Sequence, residues 1–176
     1  MAVLVEGLSV VIPVDVVRER YPGGWAAFDA AAPNQTLCAD DELARIGFMS
    51  PEDVATFVAA LRAHGIVYEQ DGKARDLVVI DQIRGPLLPC DWVELGDVTL
   101  APSKRIAACR KKGSAIEQIV TPPGWSYETS LSATYTYVPK EHLDKSFKFL
   151  RHEDGFDVYR NELTGAEAYV GRTAKG

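Results

Sequence analysis

Between Ser50 and Gly65 the chain carries a helix whose two ends are both marked in the sequence. Ser50 can cap the helix N-terminus, Pro51 suits the first helical position and Asp53 completes an S-x-x-D capping arrangement. Val54, Phe57, Val58 and Leu61 then fall at i, i+3, i+4 and i+7, which makes one apolar stripe. Gly65 supplies the left-handed residue that ends the helix. Such a stripe must be buried against another element, and the segments around it read mostly as strand.

Leu8 to Ile12 is a continuous β-branched apolar run, as expected of a buried strand. Pro13 permits a helix start, so Asp15 to Tyr21 predicts a short helix, interrupted at Pro22-Gly23-Gly24. Trp25 and Phe28 suggest a second helical piece stopped by Pro33. Asn34 to Glu42 is polar and aperiodic, hence a loop, and Ala44 to Met49 predicts a strand. Past Gly65, Ile66 to Tyr68 leads through Asp71-Gly72 to Leu77–Ile80, which predicts a hairpin.

From Gly85 onward the reading is almost all strand and loop. Trp92 to Leu100 and Arg105 to Cys109 are expected strands, and Ser130 to Val138 alternates as a strand should. Phe147 to His152 and Phe156 to Asn161 flank Asp154-Gly155, and Thr164-Gly165 turns the chain into Ala166–Val170. Pro139 to Asp144 has room for one helical turn. The expected class is α+β: a helix-covered mixed sheet in the N-terminal half, continuing into an antiparallel C-terminal β-meander. With 176 residues, residues 1–176 are expected to form a single compact domain, with 1–100 (α+β) and 101–176 (mostly β) as possible subdomains.

Charge narrows the function classes. The chain has 19 basic and 25 acidic residues, a net charge of -6, which disfavours a generic nucleic-acid binder. The densest basic run, Lys104-Arg105 with Arg110-Lys111-Lys112, is short and reads as a solvated loop and strand end. Met1 to Pro13 is apolar but contains Glu6 and lacks both a basic leader and the length of a membrane span. Cys38, Cys90 and Cys109 are odd in number and widely spaced, so a disulfide framework is not expected. The expected location is the cytoplasm, with no membrane or nucleic-acid partner.

Phosphate-loop, dinucleotide-turn, serine-elbow and zinc-helix motifs are absent. Two loop segments could still carry chemistry. The first runs from Asp81, Gln82 and Arg84 through Cys90, Asp91 and Trp92. There a guanidinium could grip a carboxylate or phosphate and an indole could stack on a ligand. Alternatively, Arg84 pairs with a neighbouring aspartate and Trp92 is core. The second, Asn34 to Glu42, groups Asp40, Asp41 and Glu42 with Asn34 and Thr36 as oxygen donors, but without the spacing of a calcium loop. Helix capping accounts for those acids better than a metal does. No cofactor and no metal are expected.

A thiol nucleophile would need Cys38 or Cys90 to meet His64, His142 or His152, which nothing in the sequence arranges. Trp125, Tyr127, Tyr135 and Tyr137 could line an interface, with Pro122-Pro123-Gly124 presenting Trp125 on a rigid loop. Three functions follow. One is a non-catalytic partner-binding protein, an acidic inhibitor or immunity-type module that neutralises a basic partner. Another is an enzyme or small-molecule binder with its site near Asp81, Arg84, Cys90 and Trp92. The last is a homo-oligomeric subunit whose exposed meander edge pairs with a copy of itself.

Overall fold

A computed structural model describes residues 1–101, 104–114, 118–134, 147–153, 156–161 and 167–171. The chain opens with strands β1 (Ala2–Val5) and β2 (Leu8–Pro13), followed by helices α1 (Val14–Arg20) and α2 (Gly24–Ala30). Strands β3 (Cys38–Ala39) and β4 (Leu43–Phe48) precede helix α3 (Pro51–Ala63). Short strands β5 (Glu69–Gln70) and β6 (Lys73–Ala74) lead to β7 (Val78–Asp81) and β8 (Gly85–Pro86). Then come β9 (Val93–Ala101), β10 (Lys104–Lys111), β11 (Ile119–Val120), a 3-10 turn at Tyr127–Thr129 and the short helix α4 (Leu131–Thr134). Strands β12 (Phe147–Glu153), β13 (Phe156–Asn161) and β14 (Glu167–Gly171) end the described chain.

These elements make an α+β fold. One sheet is antiparallel and runs β3-β4-β2-β7-β8; another runs β11-β1-β10-β9, with β1 antiparallel to β10 and parallel to β11. Period-two alternation gives the first sheet two buried faces. Leu8, Val10, Ile12, Ala44, Ile46, Phe48 and Val79 pack under the helices with Val17, Phe28, Val54 and Leu61. Val11, Leu43, Val78 and Ile80 point the other way and share a core with Val3, Val5, Ala107 and Cys109 of the second sheet. Helices, one sheet and the other sheet are therefore stacked in that order. The outer face of the second sheet (Ala2, Leu4, Ile106, Ala108) is also buried, and α4 contacts β10.

The helix expected over 50–65 forms from local signals. Ser50 Oγ accepts from the Glu52 and Asp53 amides at 3.2 and 3.4 Å, and Gly65 has φ 79°. The antiparallel meander β12-β13-β14 also forms as expected. Two expectations are corrected. Asp71-Gly72 does turn a hairpin, but its arms are β5 and β6, while Leu77–Ile80 contributes to β7, which pairs with β2 and β8. Residues 131–134 are helical instead of extended; the helical turn expected at 139–144 lies outside the described residues. No helix among the described residues is long and apolar enough to cross a membrane.

Candidate functional site: a buried polar joint and an open strand edge

Polar chemistry converges where β1 hands the chain from one sheet to the other. Glu6 and Gly7 make that crossing, and Gly7 sits at φ 54°, with a Cβ there falling 2.8 Å from the Phe48 carbonyl oxygen. Only glycine suits both constraints. Arg45, mid-strand in β4, points into the space between the sheets and is fully buried at 0% exposure. Its guanidinium donates to Ser9 Oγ at 3.0 Å, the Thr36 carbonyl at 3.1 Å and the Glu6 carbonyl at 3.3 Å. It also hydrogen-bonds the Cys38 thiol, and it occupies the space a side chain on Gly47 would need. Burial pulls the Arg45 pKa down, against the opposing pull of Cys38 and Glu6.

The Glu6 carboxylate is held by other donors. Oε1 accepts the Trp125 indole N–H at 2.8 Å, and Oε2 accepts the Ser132 amide and hydroxyl at 2.7 and 2.9 Å. Lys104 holds the same 118–134 segment to β10 by pairing with Glu128 and lying 5.6 Å from the Tyr127 ring centroid. Glu6 and Ser132 are 3% and 5% exposed, so neither is presented to a dissolved substrate. No described buried side-chain nitrogen or oxygen lacks a hydrogen-bond partner. The chemistry available to it is cohesion.

The residues singled out from sequence fall in three places. Asp81, 1% exposed, accepts the Ile83 and Arg84 amides at 2.9 and 3.2 Å and so shapes the β7–β8 turn, from which Arg84 is exposed. Gln82 reaches the joint, where its Oε1 accepts the Gly7 amide at 2.9 Å. At the other end of that hairpin Cys90 and Trp92 pack onto the inter-sheet core. Trp92 donates its indole N–H to the Arg75 carbonyl at 2.8 Å, and Asp91 pairs with Lys73 at 2.9 Å. Trp125 is half-buried on the Glu6 carboxylate. Gln82 and Trp125 thus meet at one joint, whereas Arg84 and Cys90 stand at opposite ends of the hairpin.

The oxygen-rich loop serves its own backbone. Asp40 Oδ1 accepts the Glu42 and Leu43 amides at 2.7 Å each, and Asn34 and Thr36 bond the Gly47 backbone. Burial pushes all three thiols up, Cys109 furthest. His64 meets Tyr21 edge-to-face, ring centroids 5.1 Å apart, on the helix side of the five-stranded sheet, while the thiols lie on its other side. The His142 and Tyr135–Tyr137 positions lie outside the described residues, as does the His152 side chain.

Sequence reasoning identified β9 as a strand but missed its position at an edge. It pairs with β10 alone among the described strands. Leu95 and Val98, 38% and 37% exposed, join Met1 as the exposed large apolar side chains of the described chain. The ladder to β10 is regular from Val93 to Thr99 and shifts register only beyond it. Asp97 pairs inward with Arg105 at 2.5 Å and Glu94 with Arg110 at 2.9 Å. Natural edge strands are blunted by charged side chains, proline, short length or bulges; from Val93 to Thr99 this one has no proline or bulge, and its charges, Glu94 and Asp97, are each paired with an arginine of β10. A signal existed: V-E-L-G-D-V-T mixes charged and apolar residues without strict alternation, as suits a strand wetted on both faces. Comparison of the chain with protein-family models, curated proteins and solved structures returns no match.

Proposed function

We propose that this chain works by binding another polypeptide, without catalysis, and that the outer edge of β9 is the binding element. The observation carrying this reading is that edge: nine residues long, exposed from Leu95 to Thr99, and bearing two exposed aliphatic side chains. An extended segment added beside it would gain main-chain hydrogen bonds for affinity and side-chain contacts at Leu95 and Val98 for selectivity. The net charge of -6 speeds encounter with a basic partner, as an inhibitor or immunity-type module requires. A cytoplasmic location belongs to the same reading, and the free thiols Cys38, Cys90 and Cys109 suit a reducing compartment.

The test is a photo-crosslinking residue placed at Leu95 or, as control, at exposed Glu69 on β5, in cells that make the protein. A discrete adduct from position 95 and none from position 69 is expected. Equal adducts from both positions, or none from either, would reject the β9 edge as the binding element.

A further inference from the structure

We infer that two chains pair antiparallel through β9, with the two-fold axis at Gly96. This deepens the proposed function, on whose reading of β9 as a binding edge it rests.

Three observations select a copy as the occupant. The regular stretch Val93–Thr99 has Gly96 at its midpoint, so pairing about Gly96 uses every residue of that stretch on both chains. A glycine inside a strand often marks a bulge, a bend or the close approach of a ligand or another backbone, and no bulge falls at Gly96. A Cβ built on Gly96 meets no atom of the described residues within 4 Å, so nothing described packs against this side of the strand. Across the sheet Gly96 faces Ala108, so the row through the axis reads alanine, glycine, glycine, alanine.

Charge agrees. About Gly96, Leu95 comes opposite Asp97 of the copy, Glu94 opposite Val98, and Val93 opposite Thr99. No two like charges face each other directly, and each carboxylate keeps its own arginine, Asp97 with Arg105 and Glu94 with Arg110. The two carboxylates of this strand are therefore locally paired, although each chain as a whole carries a net charge of -6. An edge that is self-complementary about one axis closes on itself as an isologous dimer, because the same patch serves both chains. A seven-residue strand pair is a small interface, so the dimer is expected to be weak and in exchange with monomer.

The experiment uses the intact chain, with sedimentation measured across the micromolar range and thermal unfolding confirming the fold of each variant. Wild type is expected to pass from monomer to dimer with rising concentration. Gly96→Lys and Gly96→Glu each place like charges at the axis and should weaken association at least tenfold. Mixing those two variants should restore it, because opposite charges then meet. Under oxidised glutathione, Gly96→Cys should give a covalent dimer beyond the wild-type background, since paired Cα atoms lie about 4.5–5.5 Å apart. Val98→Cys should not, its copies lying roughly 13 Å apart along the ladder.

A wild-type chain that stays monomeric overturns self-pairing, as does a dimer indifferent to both charge variants or cross-linking at Val98→Cys in place of Gly96→Cys. If self-pairing fails while position 95 still yields a foreign adduct, the binding-edge reading stands without it; if neither is seen, both fall.

Discussion

Arg45 ties together carbonyls from Glu6 and Thr36 and the hydroxyl of Ser9, so its loss is felt in several segments at once. Arg45→Met leaves those neutral acceptors buried and short of a donor, and we expect a cost of about 1–3 kcal/mol in urea unfolding. Glu6→Gln should cost about 1–3 kcal/mol, because an amide cannot accept from the Trp125 indole and both Ser132 donors at once. Costs near zero would remove the joint from the account of stability. Little of this joint was legible in the sequence. Glu6 registers there only as a charge interrupting an apolar run, and its partners Trp125 and Ser132 lie 119 and 126 residues away. Arg45 sits in a strand where alternation leaves both faces apolar, so nothing local announces a buried cation.

Elements whose ends and faces are encoded locally are the ones sequence reasoning recovers, and α3 is the clearest. Its cap and stripe make separable contributions. Ser50→Ala should lower stability by about 1 kcal/mol. Leu61→Ala, at 1% exposure under the five-stranded sheet, should lower it by about 2–5 kcal/mol. Thermal and urea unfolding of the two variants checks the ordering, and an equal loss in both would contradict it. The strand expected over Ser130–Val138 is replaced by helix at its described start, 131–134, for a reason of the same scale. Its serines and threonines permit alternation, yet Ser130 Oγ accepts the Ala133 amide at 3.4 Å and donates to the Tyr127 carbonyl at 2.7 Å. Such local bonds compete with extended pairing and win at the start of α4. Asp71-Gly72 likewise marks a turn without saying how far its arms reach.

At the scale of the whole molecule, groups raised by burial gather around the inter-sheet core. Burial pushes the Cys38, Cys90 and Cys109 thiols upward and Tyr68 from 10.0 to about 12. A group that binds its proton more tightly in the folded chain lends stability that is whole below its unfolded value and lost as pH rises through the folded one. Stability should hold up to about the ordinary thiol value of 9.0 and fall beyond it, with the Tyr68 share lost between 10.0 and about 12. Urea midpoints measured from neutral pH upward test this, and a midpoint flat through that range would contradict it.

The place of β1 in the second sheet bears on how the chain is made. Ala2–Val5 needs Lys104–Lys111 and Ile119–Val120 as its neighbours, and the ribosome supplies those about a hundred residues later. At about 5–20 residues per second, the nascent strand waits for several seconds or longer with its apolar side chains uncovered. Meanwhile β2, β4, β7 and the three helices can already associate beside it. The five-stranded sheet and its helices are therefore in a position to assemble during translation, whereas the joint at Glu6 can close only once Trp125 and Ser132 have left the exit tunnel.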